Sequence, residues 1–205
     1  TDEYPETLAL EDVPPFIYVA RGMLNRANSV GNDLWQATPK RRGCAIRRVD
    51  PSDLAAGATT IFEDPNGSIY DMNLSFDAST IYFSYRPEGS EFWNIWKIGV
   101  DGTGLTQLTD GPFFDVSPTE AADGRIVFVS TRRFGRTVCQ PGPASNLFTM
   151  NADGTDIRCV SMNTLSDFNP QSLPDGRILF TRWEYIDRDL TYRQSLWTQN
   201  PEGTL

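Results

Sequence analysis

A segment of ten residues occurs three times in this chain, and it constrains the fold more than any other feature. The copies are NIWKIGVDGT at 94–103, NLFTMNADGT at 146–155 and SLWTQNPEGT at 195–204. Each copy begins with apolar and aromatic residues and ends in a turn sequence containing glycine, which is typical of a strand entering a hairpin. The copies lie about 50 residues apart, close to the length of one β-propeller blade.

A second motif precedes each copy. It reads DGRIVF at 123–128, DGRILF at 175–180 and, in a weaker form, DASTIYF at 77–83. Asp-Gly favours a tight hairpin because glycine adopts positive φ without strain. Together the two motifs predict a repeated unit of antiparallel strands. We therefore expect an all-β chain, a β-propeller built of four-stranded antiparallel blades.

The repeat divides the chain into a lead-in and four blades. Residues 1–15 are acidic and end in Pro14-Pro15, which indicates a linker. The predicted blades cover approximately 16–66, 67–112, 113–166 and 167–205. The first blade lacks its innermost strand and the last stops where its outer strand would begin. Closed rings typically need about 4–8 blades, so we expect three and a half to four blades of a larger or incomplete ring.

Composition excludes several classes of function. The formal net charge of −9 argues against a surface that binds nucleic acid. The chain has no histidine, so neither a Ser-His-Asp triad nor a C-x-x-C-H haem motif can be built within it. No apolar run approaches the roughly 20 residues of a membrane-spanning helix. We therefore expect no catalytic residue, no cofactor or metal held by this chain, no nucleic-acid partner and no transmembrane segment.

Cysteine spacing leaves the redox state open. Cys44, Cys139 and Cys159 form no C-x-x-C motif, which argues against a zinc site. Cys139 and Cys159 fall within one predicted blade and could form a disulfide in an exported protein. Three buried thiols in a reducing compartment are the equal alternative.

The long connections all lie between the second and third strands of the predicted blades. Connections of this kind emerge at one end of the ring, and insertions gathered there usually mark the binding face of a repeat protein. Aromatic residues beside charges suit a protein or glycan surface. The alternative is that these side chains fold the loops onto the blades. The candidate residues are Trp35, Trp93, Phe113, Phe114, Arg132, Arg133, Trp183, Glu184 and Tyr185.

Three aspartates fall at the crossings between blades. Asp115 and Asp167 occupy equivalent places, and Asp71 lies close to the same place in the weaker copy. Carboxylates at the entrance of a central channel could collect a hard cation. We favour the second interpretation, in which an aspartate at a strand entry accepts backbone N–H groups and fixes the turn.

The repeats resemble those of TolB-like β-propellers, from about residue 68 to 204. Ile69–Ser75, Leu179–Asp187 and Ser195–Trp197 are also similar to the propeller of hydrazine synthase alpha-subunit-like exported proteins. This resemblance implies a periplasmic or otherwise exported location and a propeller within a multi-domain assembly that carries haem c. Because the chain lacks C-x-x-C-H, no haem-binding or catalytic residue carries over.

Three functions follow from these observations. The first is a non-catalytic scaffold or binding module of a larger exported protein, which uses the long loops to contact a protein partner or neighbouring domains. The second is part of a c-type haem redox enzyme whose cofactors lie outside this chain. The third is a glycan-binding propeller that uses the loop aromatics.

Overall fold

The computed structural model describes residues 12–22, 24–25, 38–39, 42–133, 135–136, 142–184 and 194–204. Nearly all regular structure in them is antiparallel strand, with one 3-10 helix at Pro51–Ala56. Among the described residues no helix is long and apolar enough to cross a membrane. The all-β prediction and the predicted propeller blades are confirmed.

Four sheets follow one another along the chain, and we call them blades 1 to 4. Blade 1 has the strand order β1-β4-β5, and its strands are Phe16–Arg21 (β1), Cys44–Val49 (β4) and Thr59–Asp64 (β5). A separate two-stranded ribbon pairs Leu24–Asn25 (β2) with Thr38–Pro39 (β3). Blade 2 has four strands, Ser68–Leu74 (β6), Thr80–Arg86 (β7), Asn94–Gly99 (β8) and Thr106–Gln107 (β9).

Blades 3 and 4 repeat the arrangement of blade 2. The strands of blade 3 are Asp115–Glu120 (β10), Ile126–Ser130 (β11), Asn146–Met150 (β12) and Arg158–Cys159 (β13). Those of blade 4 are Asp167–Ser172 (β14), Ile178–Trp183 (β15) and Gln194–Gln199 (β16). The inner strands β6, β10 and β14 lie side by side. Each sheet falls within one of the four predicted blade ranges, whose limits stay a prediction.

A tight hairpin joins the inner strand to the second strand in blades 2, 3 and 4. Two residues before each second strand the backbone has positive φ, at Ala78 (57°), Gly124 (81°) and Gly176 (88°). The preceding aspartate accepts a backbone N–H two residues later, as Asp175 does from Arg177 at 3.1 Å. These bonds explain why the Asp-Gly motif marks this place in the sequence.

Blade 1 has no inner strand among the described residues. β1 pairs with β4 on one side only and takes the place that the second strand has in the other blades. Two residues before β1 stands Pro14, and no residue from Asp12 to Phe16 has positive φ. Because the proline ring fixes φ near −65°, the positive-φ turn of the other blades cannot form at Pro14.

The core lies between successive blades. One cluster joins Ile46 to Ile81 and Phe83 across blades 1 and 2. A second joins Ile95 of blade 2 to blade 3, and a third joins Leu147 of blade 3 to blade 4. Ile95, Leu147 and Leu196 are the second residues of the three repeated segments. Ile95 and Leu147 are 0% exposed, whereas Leu196 is 73% exposed because no described blade covers the outer side of blade 4.

Candidate binding end of the propeller

The second strand ends and the third begins at one end of every blade, which we call the loop end. The inner strands start at this same end, because Ser68 pairs with Arg86, Asp115 with Ser130 and Asp167 with Arg182. Tyr85, Ser130 and Arg182 each pair with the first residue of a repeated segment, so their partners Ile69, Asp115 and Asp167 are the equivalent residues of blades 2, 3 and 4. The predicted binding face corresponds to this end.

Buried ion pairs hold the loop end of blades 3 and 4. Arg132 Nη2 lies 2.7 Å from Asp115 Oδ2, and Arg182 donates to both carboxylate oxygens of Asp167 at 2.9 and 3.1 Å. The two aspartate side chains are 0% exposed, and the two arginine side chains are 17% and 16% exposed. Ser130 Oγ also donates to Asp115 at 2.6 Å. Such pairs fix the base of the long loops.

Asp115 and Asp167 are therefore occupied by protein donors. Asp167 receives further hydrogen bonds from Ser161 Oγ at 2.6 Å and Asn163 Nδ2 at 3.1 Å. Burial raises the pKa of Asp115, although Arg132 and Ser130 act in the opposite direction. Among the described residues no group of three or more candidate ligands could hold a metal ion. The structure favours a structural role for these aspartates over cation binding.

Three arginines at the loop end, Arg86, Arg132 and Arg182, also lie over aromatic rings. Arg132 Cζ is 4.7 Å from the ring centroid of Phe113, and Arg182 Cζ is 4.9 Å from that of Trp197. In blade 2, Arg86 Cζ is 4.7 Å from the ring centroid of Trp93. An aromatic face attracts a guanidinium group and fixes its plane. These contacts fix three guanidinium groups at the loop end, two of which also pair with a buried aspartate.

Blade 2 departs from this pattern, because Ile69 stands where blades 3 and 4 have aspartate, and Arg86 lies one residue beyond the position of Arg182. Among the described residues Arg86 donates no hydrogen bond and has no ion-pair partner. Burial and the nearby charge of Arg42 both lower the pKa of Arg86. A cavity of about 320 Å³ opens beside it. The lining residues are Arg42, Asn66, Ser68, Arg86, Pro87, Glu88, Gly89, Ser90 and Glu91.

The structure divides the predicted residues of the binding face into buried and half-buried ones. Trp93 and Trp183 are 0% and 2% exposed and pack in the core beneath the loop end. They correspond to the alternative interpretation, in which aromatic residues fold the loops onto the blades. A buried ring presents no contact area to a partner, so these two residues contribute support and not exposed surface.

The remaining predicted residues lie closer to the surface. Phe113, Phe114, Arg132, Arg133 and Glu184 are half-buried at the loop end. Arg133 Nη1 donates weakly to Asn146 Oδ1 at 3.4 Å and to the Asn163 carbonyl at 3.3 Å. Their role in binding stays a prediction.

Three predicted residues, Trp35, Cys139 and Tyr185, lie outside the described residues. The thiol of Cys159 is exposed on β13 and donates to the Ser161 carbonyl at 3.2 Å. The Cys139–Cys159 disulfide stays a prediction.

Asp71 belongs to a different site from Asp115 and Asp167. It lies within the register shift between Ile69 and Met72 of β6 and bonds to blade 3. Ser117 donates to it from its backbone N–H at 3.2 Å and from Oγ at 2.5 Å, and Ser84 Oγ donates as well. Burial raises the pKa of Asp71, against these hydrogen bonds and the charge of Arg21. The contact joins inner strands beside the channel, where Ser117 has a φ of 56°.

Sequence reasoning missed Arg86, whose guanidinium lies on the ring of Trp93. No local signal marks this residue, because its place depends on the burial of Trp93 between the blades.

Comparison with solved structures supports the propeller fold. Hydrazine synthase of Kuenenia stuttgartiensis matches with a TM-score of 0.73 and 19% identity over 93% of this chain and 31% of its own. TolB of Acinetobacter baumannii matches with a TM-score of 0.56 and 14% identity over 79% of this chain and 36% of its own. An oligogalacturonate lyase in complex with manganese matches with a TM-score of 0.55 and 16% identity over 92% of this chain and 48% of its own.

These likenesses establish the fold, and the predicted resemblance to TolB-like propellers is confirmed. The chain spans 31% to 48% of the length of these three proteins. No family model and no curated protein matches the sequence.

Proposed function

We propose that this chain, a run of TolB-like propeller blades, is a non-catalytic binding and scaffold module of a larger exported protein. Its loop end contacts a protein partner or a neighbouring domain. The observation that carries the proposal is the row of arginines at that end, each on an aromatic ring and two of them in buried ion pairs. A surface held in one conformation loses little entropy when it binds.

The position of the long connections supports the same end of the molecule. The hairpins between first and second strands are short and closed by their own aspartates, so they offer little surface that varies between blades. The connections at the loop end differ in length from blade to blade. Variable loops on a rigid base are the usual means by which a repeat protein recognises a partner.

Site-specific photo-crosslinking in the native source tests this proposal. A photoreactive amino acid at Glu91, exposed at the loop end, is compared with one at Ala122, exposed in the opposite hairpin. We expect discrete cross-linked species from the Glu91 position and none from the Ala122 position. Equal cross-linking from both positions, or cross-linking from Ala122 alone, would contradict the proposal.

The second candidate is a segment of a c-type haem enzyme, with the cofactors held outside this chain. The match to hydrazine synthase over 93% of this chain favours it. The loop end would then form part of the wall around the cofactor. A haem Soret band in the native full-length protein, together with cross-links from Glu91 to a haem-bearing segment, would support this candidate over the first.

A further inference from the structure

We infer that residues 2–7 bind along the free edge of β1 as the inner strand of blade 1, in the register that β10 and β14 have in their own blades. These residues lie outside the described part of the chain, so we compare their sequence with the described inner strands. The segment reads DEYPET, whereas β10 reads DVSPTE and β14 reads DFNPQS. In all three, aspartate stands first and proline fourth. This contact completes blade 1 and does not depend on the proposed function.

The proline of this motif stands at the one place in an inner strand that suits it. Pro118 and Pro170 lie within the register shifts of β10 and β14. A residue in such a bulge has no partner in the ladder, so the missing N–H of proline costs no hydrogen bond there. Pro5 follows Asp2 at the same spacing. The segment thus has the sequence of an inner strand with its bulge.

The described residues leave a slot for this strand. β1 pairs with β4 and, in the described part of the chain, has no partner along its other edge. A cavity of about 550 Å³ opens between the start of β1 and the end of β6. Its lining is mainly apolar and includes Phe16 and Ile17 of β1, with Met72 and Leu74 of β6. An unpaired edge beside an apolar cavity is suited to receive an extended segment.

In the following blades the end of an inner strand contacts the next inner strand. The backbone N–H of Phe76, just after β6, donates to Glu120 Oε2 of β10 at 2.7 Å. One blade further, the Ser172 hydroxyl of β14 donates to the Glu120 carbonyl. On its blade 1 side β6 has no such neighbour among the described residues, and Leu74 is 40% exposed. An inner strand in blade 1 would supply the missing contact.

Charge favours residues 2–7 as the occupant. Residues 1–12 carry five acidic side chains and no basic one, and Arg48 is the charged residue that lines the cavity. At the other end of the slot Arg21 ends β1, and its Nη1 donates to the Ile69 carbonyl at 3.0 Å. The aspartates that begin β10 and β14 each pair with an arginine. Arg21 offers Asp2 the same kind of partner.

The connection to β1 is longer than its equivalents. Residues 6–15 join Pro5 to β1, whereas residues 119–125 and 171–177 join the equivalent prolines to β11 and β15. Pro14 excludes the positive φ of those tight turns. A longer hairpin loop does not require that turn, so Pro14 is compatible with an inner strand that ends several residues before it.

Hydrogen–deuterium exchange of the whole chain tests the inference. We expect the backbone amides of residues 2–7 to exchange as slowly as those of the equivalent residues 115–120, because they bond to β1 in the same way. Exchange at the rate of an unfolded peptide would overturn the inference. Slow exchange confined to concentrations at which the chain is dimeric would also overturn it, since a second copy would then supply the strand.

Two substitutions of neighbouring acidic residues test the register. Asp2→Asn removes the charge at the repeated position and should speed the exchange of residues 3–7 at least about tenfold, as expected for a lost charge-assisted hydrogen bond. Glu3→Gln removes a charge where β10 and β14 have Val116 and Phe168, and should leave the exchange nearly unchanged. Unaltered exchange of residues 115–120 shows that both variants are folded. Equal effects of the two variants would overturn the inference, because the repeated aspartate would then not set the register.

Discussion

At the scale of single residues, one position near the start of the inner strand decides whether a blade carries a buried ion pair at its loop end. Aspartate at this position pairs with an arginine in blades 3 and 4. Blade 2 has the apolar Ile69 there, which is 0% exposed and packs in the core between blades 1 and 2. The same fold thus tolerates a buried ion pair or an apolar side chain at one position of the repeat.

The buried pair of blade 4 gives a first prediction. Asp167→Asn keeps the shape of the side chain and removes its charge, which leaves Arg182 buried without a counter-ion. We expect a loss of about 3–5 kcal/mol in the free energy of unfolding, as for other broken buried pairs. Urea denaturation measures it.

Asp175→Asn is the matched control, because Asp175 bonds Arg177 at the exposed hairpin. The Asp175→Asn substitution should lower the free energy of unfolding by much less than Asp167→Asn does, because the Asp175–Arg177 pair is exposed. Similar losses in the two variants would contradict the buried pair as a determinant of stability.

At the scale of elements, the hairpins and strands were predictable and the register shifts of the inner strands were not. Alternating apolar residues and Asp-Gly turns are local signals, so the strands around Gly124 and Gly176 could be placed from the sequence. The register shifts in β6, β10 and β14 depend on contacts with neighbouring blades, such as that of Ser117 with Asp71. The burial of Trp93 also depends on packing between blades, which a linear pattern does not contain.

The hairpin aspartates predict an acid sensitivity. Hydrogen bonds from Ser75 and Ser79 lower the pKa of Asp77 to about 2, from an ordinary value near 3.8. The folded state therefore binds this proton more weakly than the unfolded chain. The contribution to stability is complete above the ordinary pKa and is lost as the pH falls towards 2.

Comparison of wild type with Asp77→Asn isolates this contribution. The urea midpoint of wild type should exceed that of the variant near pH 6, and the difference should shrink as the pH falls towards 2. The pKa values of the other hairpin aspartates Asp101, Asp153 and Asp175 are lowered as well, so single variants will show part of the total effect. A difference that stays constant with pH would contradict the assignment.

At the scale of the whole molecule, the two ends of the blade series are unlike its middle. Blades 2 and 3 are covered on both sides, whereas the outer side of blade 4 carries exposed Leu196. β1 has one unpaired edge among the described residues. Exposed edges and apolar faces favour association with other strands. The repeat predicted this incompleteness, because the number of repeated segments is visible in the sequence.

Leu147 of blade 3 and Leu196 of blade 4 are equivalent, so substituting each one tests how much the cover of a neighbouring blade contributes to stability. Leu147→Ala removes a fully buried side chain and should cost about 2–5 kcal/mol. Leu196→Ala, at the same position of the next repeat, should cost less than about 0.5 kcal/mol because the side chain is exposed. Thermal or urea unfolding of both variants measures the two losses in the free energy of unfolding. A large loss from Leu196→Ala in the monomer would mean that another element covers blade 4.

Pro14 also has a consequence for the rate at which blade 1 folds. Blades 2 to 4 can each form their first hairpin from residues that are neighbours in sequence, which is a fast local event. The positive φ of those turns is closed to Pro14, and the pairing that the described residues give β1 is with β4, where Arg21 meets Cys44. A contact across this longer stretch of chain raises the contact order, so we expect the β1–β4 pairing to form after the tight hairpins of blades 2 to 4.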